Sequence, residues 1–183
     1  GSSHNFFQLS EPVYELYELA GRPDKTLGYD YTSLLQKLCL QMERQKRGKV
    51  HMESGLYKVA GCYIKSFNHI YGDGMYNTII SGADIPFKNE KLSDHVYEKI
   101  TFENLGFNLD LLSPRAGRAI NMEYVKDFTA RNIWINKSGI TGFGVDMIMS
   151  GVLDNIVTEG CGQSQQDGSC AGMGIGVGAF LAD

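Results

Sequence analysis

Proline is scarce in this chain, with 4 among 183 residues, and the 22 glycines are not accompanied by it. Glycine without proline, interleaved with Ile and Val, excludes collagen-like and proline-rich disordered segments and points to tight turns between strands. Cysteine is sparse too: the four, at 39, 62, 161 and 170, have no CxxC spacing and no neighbouring histidine, so no zinc or other metal site is expected. Cys161 and Cys170 are expected as reduced thiols, with a disulfide closing the loop between them as the alternative in an extracellular protein. Positive charge is in short supply. With 17 Lys and Arg against 21 Asp and Glu, a net charge of −4 and no basic cluster beyond Arg44-Gln-Lys-Arg47, nucleic acid is excluded as the main partner. Neither a signal peptide nor an apolar run of membrane-spanning length is legible, so no membrane insertion is expected. Gly1-Ser-Ser-His4 reads as a tag remnant, which leaves the native N-terminus and any targeting signal out of view.

What the chain does hold is a repeat. Asn132-Ile-Trp-Ile-Asn-Lys-Ser-Gly139 returns 23 residues later as Asn155-Ile-Val-Thr-Glu-Gly-Cys-Gly162. A β-branched strand, a glycine turn and a second strand at that period have the size of one coil of a parallel β-helix. The second strands correspond as Gly142-Phe-Gly-Val-Asp146 and Gly172-Met-Gly-Ile-Gly176, displaced by 30 because Gln163 to Ser169 reads as a loop insertion. Such insertions collect on one face, often the binding face. An apolar fraction of 43% is enough for one sizeable core and gives no sign of a second full domain. Asn132 and Asn155 open equivalent strands, where stacked amides can share hydrogen bonds as turn stabilisers.

Ahead of the repeat, residues 5–28 carry aromatic and acidic side chains around Tyr14-Glu-Leu-Tyr-Glu18 without a sustained period, and read as an arm or linker packing on something else, such as a neighbouring subunit. Leu34, Leu35, Leu38, Cys39 and Met42 then share one face of a helix near 32–46. Asp30 or Thr32 suits its start, Lys46 and Arg47 its negative end, and Gly48 its stop. Strands are expected over 48–59 with a turn at Ser54-Gly55, over 70–82 with a glycine turn, and at 100–104 and 118–123. Pro86 to Val96 reads as a loop thrown out from the body.

Three segments carry a resemblance: Asp30-Tyr-Thr-Ser-Leu-Leu-Gln36, Gly48-Lys-Val-His-Met-Glu-Ser-Gly-Leu-Tyr57 and Tyr71-Gly-Asp-Gly-Met-Tyr-Asn-Thr-Ile-Ile80. In order and spacing they resemble the opening of pectate-lyase-like β-helix proteins, with Glu53 where a proline is usual and Tyr31 in place of a second aspartate. The resemblance covers residues 29–183, and Gly172-Met-Gly-Ile-Gly-Val-Gly178 looks most like the branch of bacteriophage tailspikes and receptor-binding tail proteins. It implies an all-β, right-handed, single-stranded parallel β-helix with an N-terminal capping α-helix. The glycine-rich end, with no capping element after it, is expected to mark a piece of a longer protein.

Asp146 is the sharpest catalytic candidate. Alternation sets Phe143, Val145 and Met147 on one face and Asp146 on the other, beside Gly176 of the next coil, where a carboxylate has room for a sugar ring. The segment also looks like the catalytic Tyr-Gly-Phe-Asp-Pro-His stretch of alginate epimerases, although Phe143 and Ile148 replace the tyrosine and histidine. A solvated or turn-bonding aspartate is the other reading. Trp134, the single tryptophan, is expected to point outward over Val157 as a sugar platform, a subunit anchor, or a ring covered by the arm or a loop. Lys137 and Glu159, with Trp134 and Asp146, make up the expected carbohydrate-binding set. Asp127, Arg131 and Asp154 surround the same coils and read mainly as a solvated face. Arg115 and Arg118 could grip an acidic sugar, or pair with Asp110 or Glu123. His51, His69 and His95 are scattered and form no evident constellation.

The expected function is adsorption by a tailspike or tail-fibre domain, a homotrimer on a virion tail or otherwise extracellular, that binds a bacterial surface polysaccharide without a cofactor. The alternatives are a polysaccharide lyase, glycoside hydrolase or uronate epimerase whose catalytic coils lie mostly outside this piece, and a structural spacer.

Overall fold

The computed structural model describes residues 10–92, 94–164 and 172–175. The chain folds as an all-β parallel solenoid of about 4 turns with few helices. The elements are β1 (Val13–Glu15), α1 (Leu16–Leu19), α2 (Thr32–Gln45), β2 (Lys49–Met52), β3 (Gly55–Lys58), β4 (Cys62–Tyr63), β5 (His69–Gly72), β6 (Thr78–Ser81), β7 (Phe87–Lys88), β8 (Tyr97–Asn108), β9 (Ile120–Asn136), β10 (Phe143–Glu159) and β11 (Met173–Ile175). Strand pairings are parallel, and the main ladder runs β1-β2-β5-β8-β9-β10-β11.

The repeat read from the sequence is the physical repeat. Ile156 lies beside Ile133 and Val157 beside Trp134, while Phe143 lies beside Met173 and Val145 beside Ile175. The long strands β8, β9 and β10 are not straight. Each bends where a non-glycine residue takes positive φ, at Lys99 and Asn104, at Tyr124, Asp127 and Asn132, and at Met147 and Asn155. Asparagine tolerates this left-handed conformation better than other side chains. Its amide then links the corners: Asn132 Nδ2 donates to Asn104 Oδ1 at 2.9 Å, and Asn155 Nδ2 donates to Asn132 Oδ1 at 3.0 Å. A second, shorter column joins Asn136 Nδ2 to Asn108 Oδ1 at 3.0 Å.

The core fills the bore of the solenoid. Val50, Ile70, Phe102 and Ala130 stack in one fully buried column, because one coil buries its apolar side only against the next, while Leu153, the following member, is exposed. Phe87 stacks on Phe102 with centroids 5.2 Å apart, and Phe102 meets Phe128 edge-on at 6.1 Å. The helix α2 lies over one end of this core with Leu35, Cys39 and Met42 fully buried. Tyr31 rather than Asp30 or Thr32 holds the N-cap position and makes no side-chain cap bond, while Asp30 Oδ1, one residue earlier, accepts from the Thr32 N–H at 2.9 Å. Thr32 Oγ1 in turn accepts from Ala60 N, and the Gln36 amide clasps Tyr63 by both its N–H and its C=O, so the cap is stitched to the first coil. The helix turns out at Lys46, with φ 56, two residues before Gly48; a side chain on Gly48 would press on Met42 and Tyr14.

Two sequence expectations change. Residues 10–28 lie against their own chain: β1 extends the sheet beside β2, and Leu16 is fully buried. The segment 86–96 is only partly a thrown-out loop. Phe87–Lys88 pairs with both β4 and β9, and the Phe87 ring sits in the core, its signal masked by Pro86 and the polar run behind it. Among the described residues no helix is long and apolar enough to cross a membrane.

Candidate functional site

The outer face of residues 133–136 is set by strand alternation between two corners. Ile133 and Ile135 are fully buried, so Trp134 and Asn136 point outward between the left-handed residues Asn132 and Lys137. Trp134 has Val157 on one side and Gly106 on the other. Gly106 is required here, because a Cβ would collide with the Met75 carbonyl oxygen and come within 3.1 Å of Trp134 Cε3. The missing side chain lets the turn carrying Met75 and Tyr76 lie across the sheet. Tyr76, 60% exposed, meets Trp134 with centroids 5.3 Å apart and planes at 52°. Trp134 Nε1 donates to Glu159 Oε1 at 3.1 Å.

Charged groups complete the rim. Lys137 Nζ donates to Asp110 Oδ2 at 3.3 Å, and Arg115 reaches Asp110 Oδ1 at 2.9 Å and the Lys137 carbonyl at 3.3 Å. Trp134, Lys137 and Glu159 therefore lie together, with Tyr76, Asp110 and Arg115 beside them. An angled pair of rings with hydrogen-bonding groups at its edge suits the apolar face and the hydroxyls of a sugar. Of the readings open for Trp134, partial cover by a loop describes its surroundings, and that loop contributes a second ring. Arg115 pairs with Asp110, whereas Arg118 donates to Asn121 Oδ1 at 3.0 Å.

Asp146 stands apart from this group. It is exposed, its Oδ1 accepts from Met147 N at 2.9 Å, and the corners at Met147 and Asn155 lie between it and Glu159 along β10. The left-handed Met147 also ends the alternation, so it does not continue the face of Phe143 and Val145. Its in-register neighbour on β9 is Glu123. The counterpart expected at Gly176, and the loop residues 165–169 with Cys170, lie outside the described residues.

One constellation escaped the sequence. His51 Nδ1 lies 2.6 Å from Glu15 Oε2 and Nε2 lies 2.7 Å from Asp73 Oδ1, while the ring stacks on Tyr71 at 4.8 Å. Asp73 also accepts from Ser54 N at 2.9 Å. Burial disfavours the imidazolium, but the bonds to Asp73 and Glu15 outweigh it and hold the His51 pKa above the usual value. Burial likewise pushes the Asp73 carboxyl up, yet His51 and Ser54 pull it below the ordinary range. His69, 2.8 Å from Glu103, goes the other way, because its burial outweighs that carboxylate. The partners of His51 are 36 and 22 residues away in sequence, and only the coil period brings them together. Among the described residues no group of three or more His, Cys, Asp or Glu side chains is placed to hold a metal ion. The hollow lined by Phe128, Val145, Ile148 and Ile175 contains no titratable side chain.

No family model and no curated protein matches the chain. Among solved structures it is similar to a ι-carrageenase complexed to ι-carrageenan fragments, at 16% identity and TM-score 0.62 over 81% of this chain and 36% of that one. It is also similar to a 1,3-α-1,4-β-D-galactose-4-sulfate-3,6-anhydro-D-galactose-2-sulfate 4-galactohydrolase, at 16% identity and TM-score 0.50 over 75% of this chain and 43% of that one. The chain thus spans less than half the length of either, and the likeness is one of fold: this protein shares the parallel β-helix architecture of polysaccharide-degrading enzymes.

Proposed function

We propose that this protein binds an extended polysaccharide on the outside of its solenoid, with Trp134 and Tyr76 as the stacking platform and Glu159, Lys137 and Arg115 as the polar rim. The observation that carries the reading is the paired ring site itself, a half-buried indole held by Glu159 against a largely exposed tyrosine. The equivalent positions on the neighbouring coils are Gly106, which the turn of Met75 and Tyr76 covers, and Val157, so the ring pair is a single stacking point on the face. The polysaccharide-degrading character of the two structural neighbours supports the same ligand class. The setting we favour is adsorption, by a homotrimeric phage tail protein displaying this face to a bacterial surface glycan. It rests on sequence resemblance, of the three-part opening at residues 30–80 to the wider β-helix family and of Gly172-Met-Gly-Ile-Gly-Val-Gly178 to its tail-protein branch.

The test is retention of bacterial and algal polysaccharides in affinity electrophoresis, with light scattering alongside. Trp134→Ala and Tyr76→Ala should each weaken retention about tenfold or more, in keeping with roughly 1–3 kcal/mol for a stacked ring. Undiminished binding in both variants would remove the platform from the proposal, and a monomer would remove the trimer.

A second reading is favoured by one observation. Glu123 and Asp146 are side by side on adjacent parallel strands, and strands about 4.8 Å apart place such carboxylates near the separation used by retaining glycosidases, roughly 5–5.5 Å. Release of reducing ends, abolished by Glu123→Gln and by Asp146→Asn with binding intact, would establish a hydrolase.

A further inference from the structure

We propose that Cys39 and Cys62 are a cross-link site that can staple the capping helix to the first coil. Their sulfurs are 3.9 Å apart, both side chains are fully buried, and both are free thiols. They belong to different elements, Cys39 to the middle of α2 and Cys62 to β4. Those elements are already locked in register. Gln36, one helical turn before Cys39, makes two 2.8 Å hydrogen bonds to the backbone of Tyr63, the residue after Cys62. On the other side of the pair, Asn68 Nδ2 donates to the Cys39 carbonyl at 2.9 Å. The thiols are therefore held facing one another by bonds that do not involve sulfur.

The chemistry is thiol–disulfide exchange with a small-molecule disulfide such as glutathione disulfide. One cysteine, having given up its proton to solvent, attacks a sulfur of that disulfide, forming a mixed disulfide and expelling one glutathione thiolate. The second, deprotonated in turn, attacks the protein sulfur of the mixed disulfide, forms the Cys39–Cys62 bond and expels the other glutathione. Two electrons pass from the protein to the oxidant, which ends as two thiols. The hydrogen bond with the Cys62 thiol and burial push the Cys39 pKa well up, so exchange is slow in the folded protein and faster during refolding, which is why both samples are compared.

The experiment uses a Cys161→Ser, Cys170→Ser background, in which only this pair remains. The protein is refolded in a glutathione redox buffer, and a second sample of native protein is held for days in the same buffer. Both are alkylated, digested without reduction and analysed by mass spectrometry. The expected result is a linked peptide pair containing Cys39 and Cys62, with a melting temperature roughly 5–10 °C above that of the dithiothreitol-treated form, as a closed loop of this length implies. Cys62→Ala should remove both the linked peptide and the response to dithiothreitol. Alkylated Cys39 and Cys62 in both samples, or a linked form that melts no higher than the reduced one, would overturn the proposal.

Discussion

Replacing His51 with glutamine should lower stability at pH 6 and change it little at pH 9. In the folded chain the imidazolium donates from both nitrogens, to Glu15 on the N-terminal strand and to Asp73 on the turn after β5, at 2.6 and 2.7 Å. Charge-assisted bonds contribute about 1.5–3 kcal/mol each when sheltered. Here the Glu15 and Asp73 side chains are 43% and 39% exposed, so solvent screening reduces the pair to roughly 1–2 kcal/mol in total. Because the folded pKa of His51 is raised, this stabilisation is complete below the unfolded value near 6.5 and is lost as pH rises through the folded pKa. Neutral His51 keeps one N–H, and one carboxylate is left facing a lone pair. His69, lowered by burial, has the opposite linkage and favours the folded state less as pH falls below about 6.5, but it is common to both proteins and cancels in the difference. Calorimetry from pH 5 to 9 should give a gap in melting temperature of roughly 3–6 °C at the acidic end that closes toward alkaline pH. A gap that is constant, or that widens with pH, would refute the imidazolium clamp.

Phe87→Ala removes a fully buried ring that stacks on Phe102, and should cost about 3–5 kcal/mol in chemical denaturation; a loss below about 1 kcal/mol would return segment 86–96 to the surface. Asn132→Ala combines two lost amide bonds with a left-handed alanine, for roughly 2–4 kcal/mol, whereas Asn132→Gly keeps the backbone at ease and should lose roughly half of that. Equal losses in the two variants would show that the column of amides, not the left-handed corner, carries the stability. Gly106→Ala drives a methyl into the Met75 carbonyl and toward Trp134, and should cost roughly 1–3 kcal/mol and shift the indole fluorescence by displacing Tyr76; an unchanged spectrum would contradict the close approach of that turn to the sheet.

The coil period, the capping helix and the pairing of Trp134 with Val157 were legible because each leaves a local trace: a recurring Asn-Ile-x-x motif, a 3.6-residue stripe, an alternation of two. Phe87 left none, since a two-residue strand behind a proline has no period to detect. Leu16 and Tyr17 were hidden among acidic neighbours whose charges face outward once β1 joins the sheet. At the site, Trp134, Lys137 and Glu159 could be grouped because one repeat separates their strands. Tyr76 could not, because it reaches Trp134 through a turn laid across Gly106, and the glycine reads the same whether it turns the chain or makes room for it. His51 and its two carboxylates come from three elements joined only by the winding of the solenoid.

The asparagine columns separate two things that a coil could have confused, its phase and its length. Asn104 and Asn132 are 28 residues apart, Asn132 and Asn155 only 23, yet all three meet at the same corner with amides in contact. The surplus is taken up between Leu109 and Ala119, after β8, where the next coil has only the shorter turn between β9 and β10. The solenoid is thus built like a splined shaft. The corner fixes how each added coil is clocked, and the turn beside the Trp134 face is free to carry longer or different attachments without disturbing the alignment of anything stacked above or below.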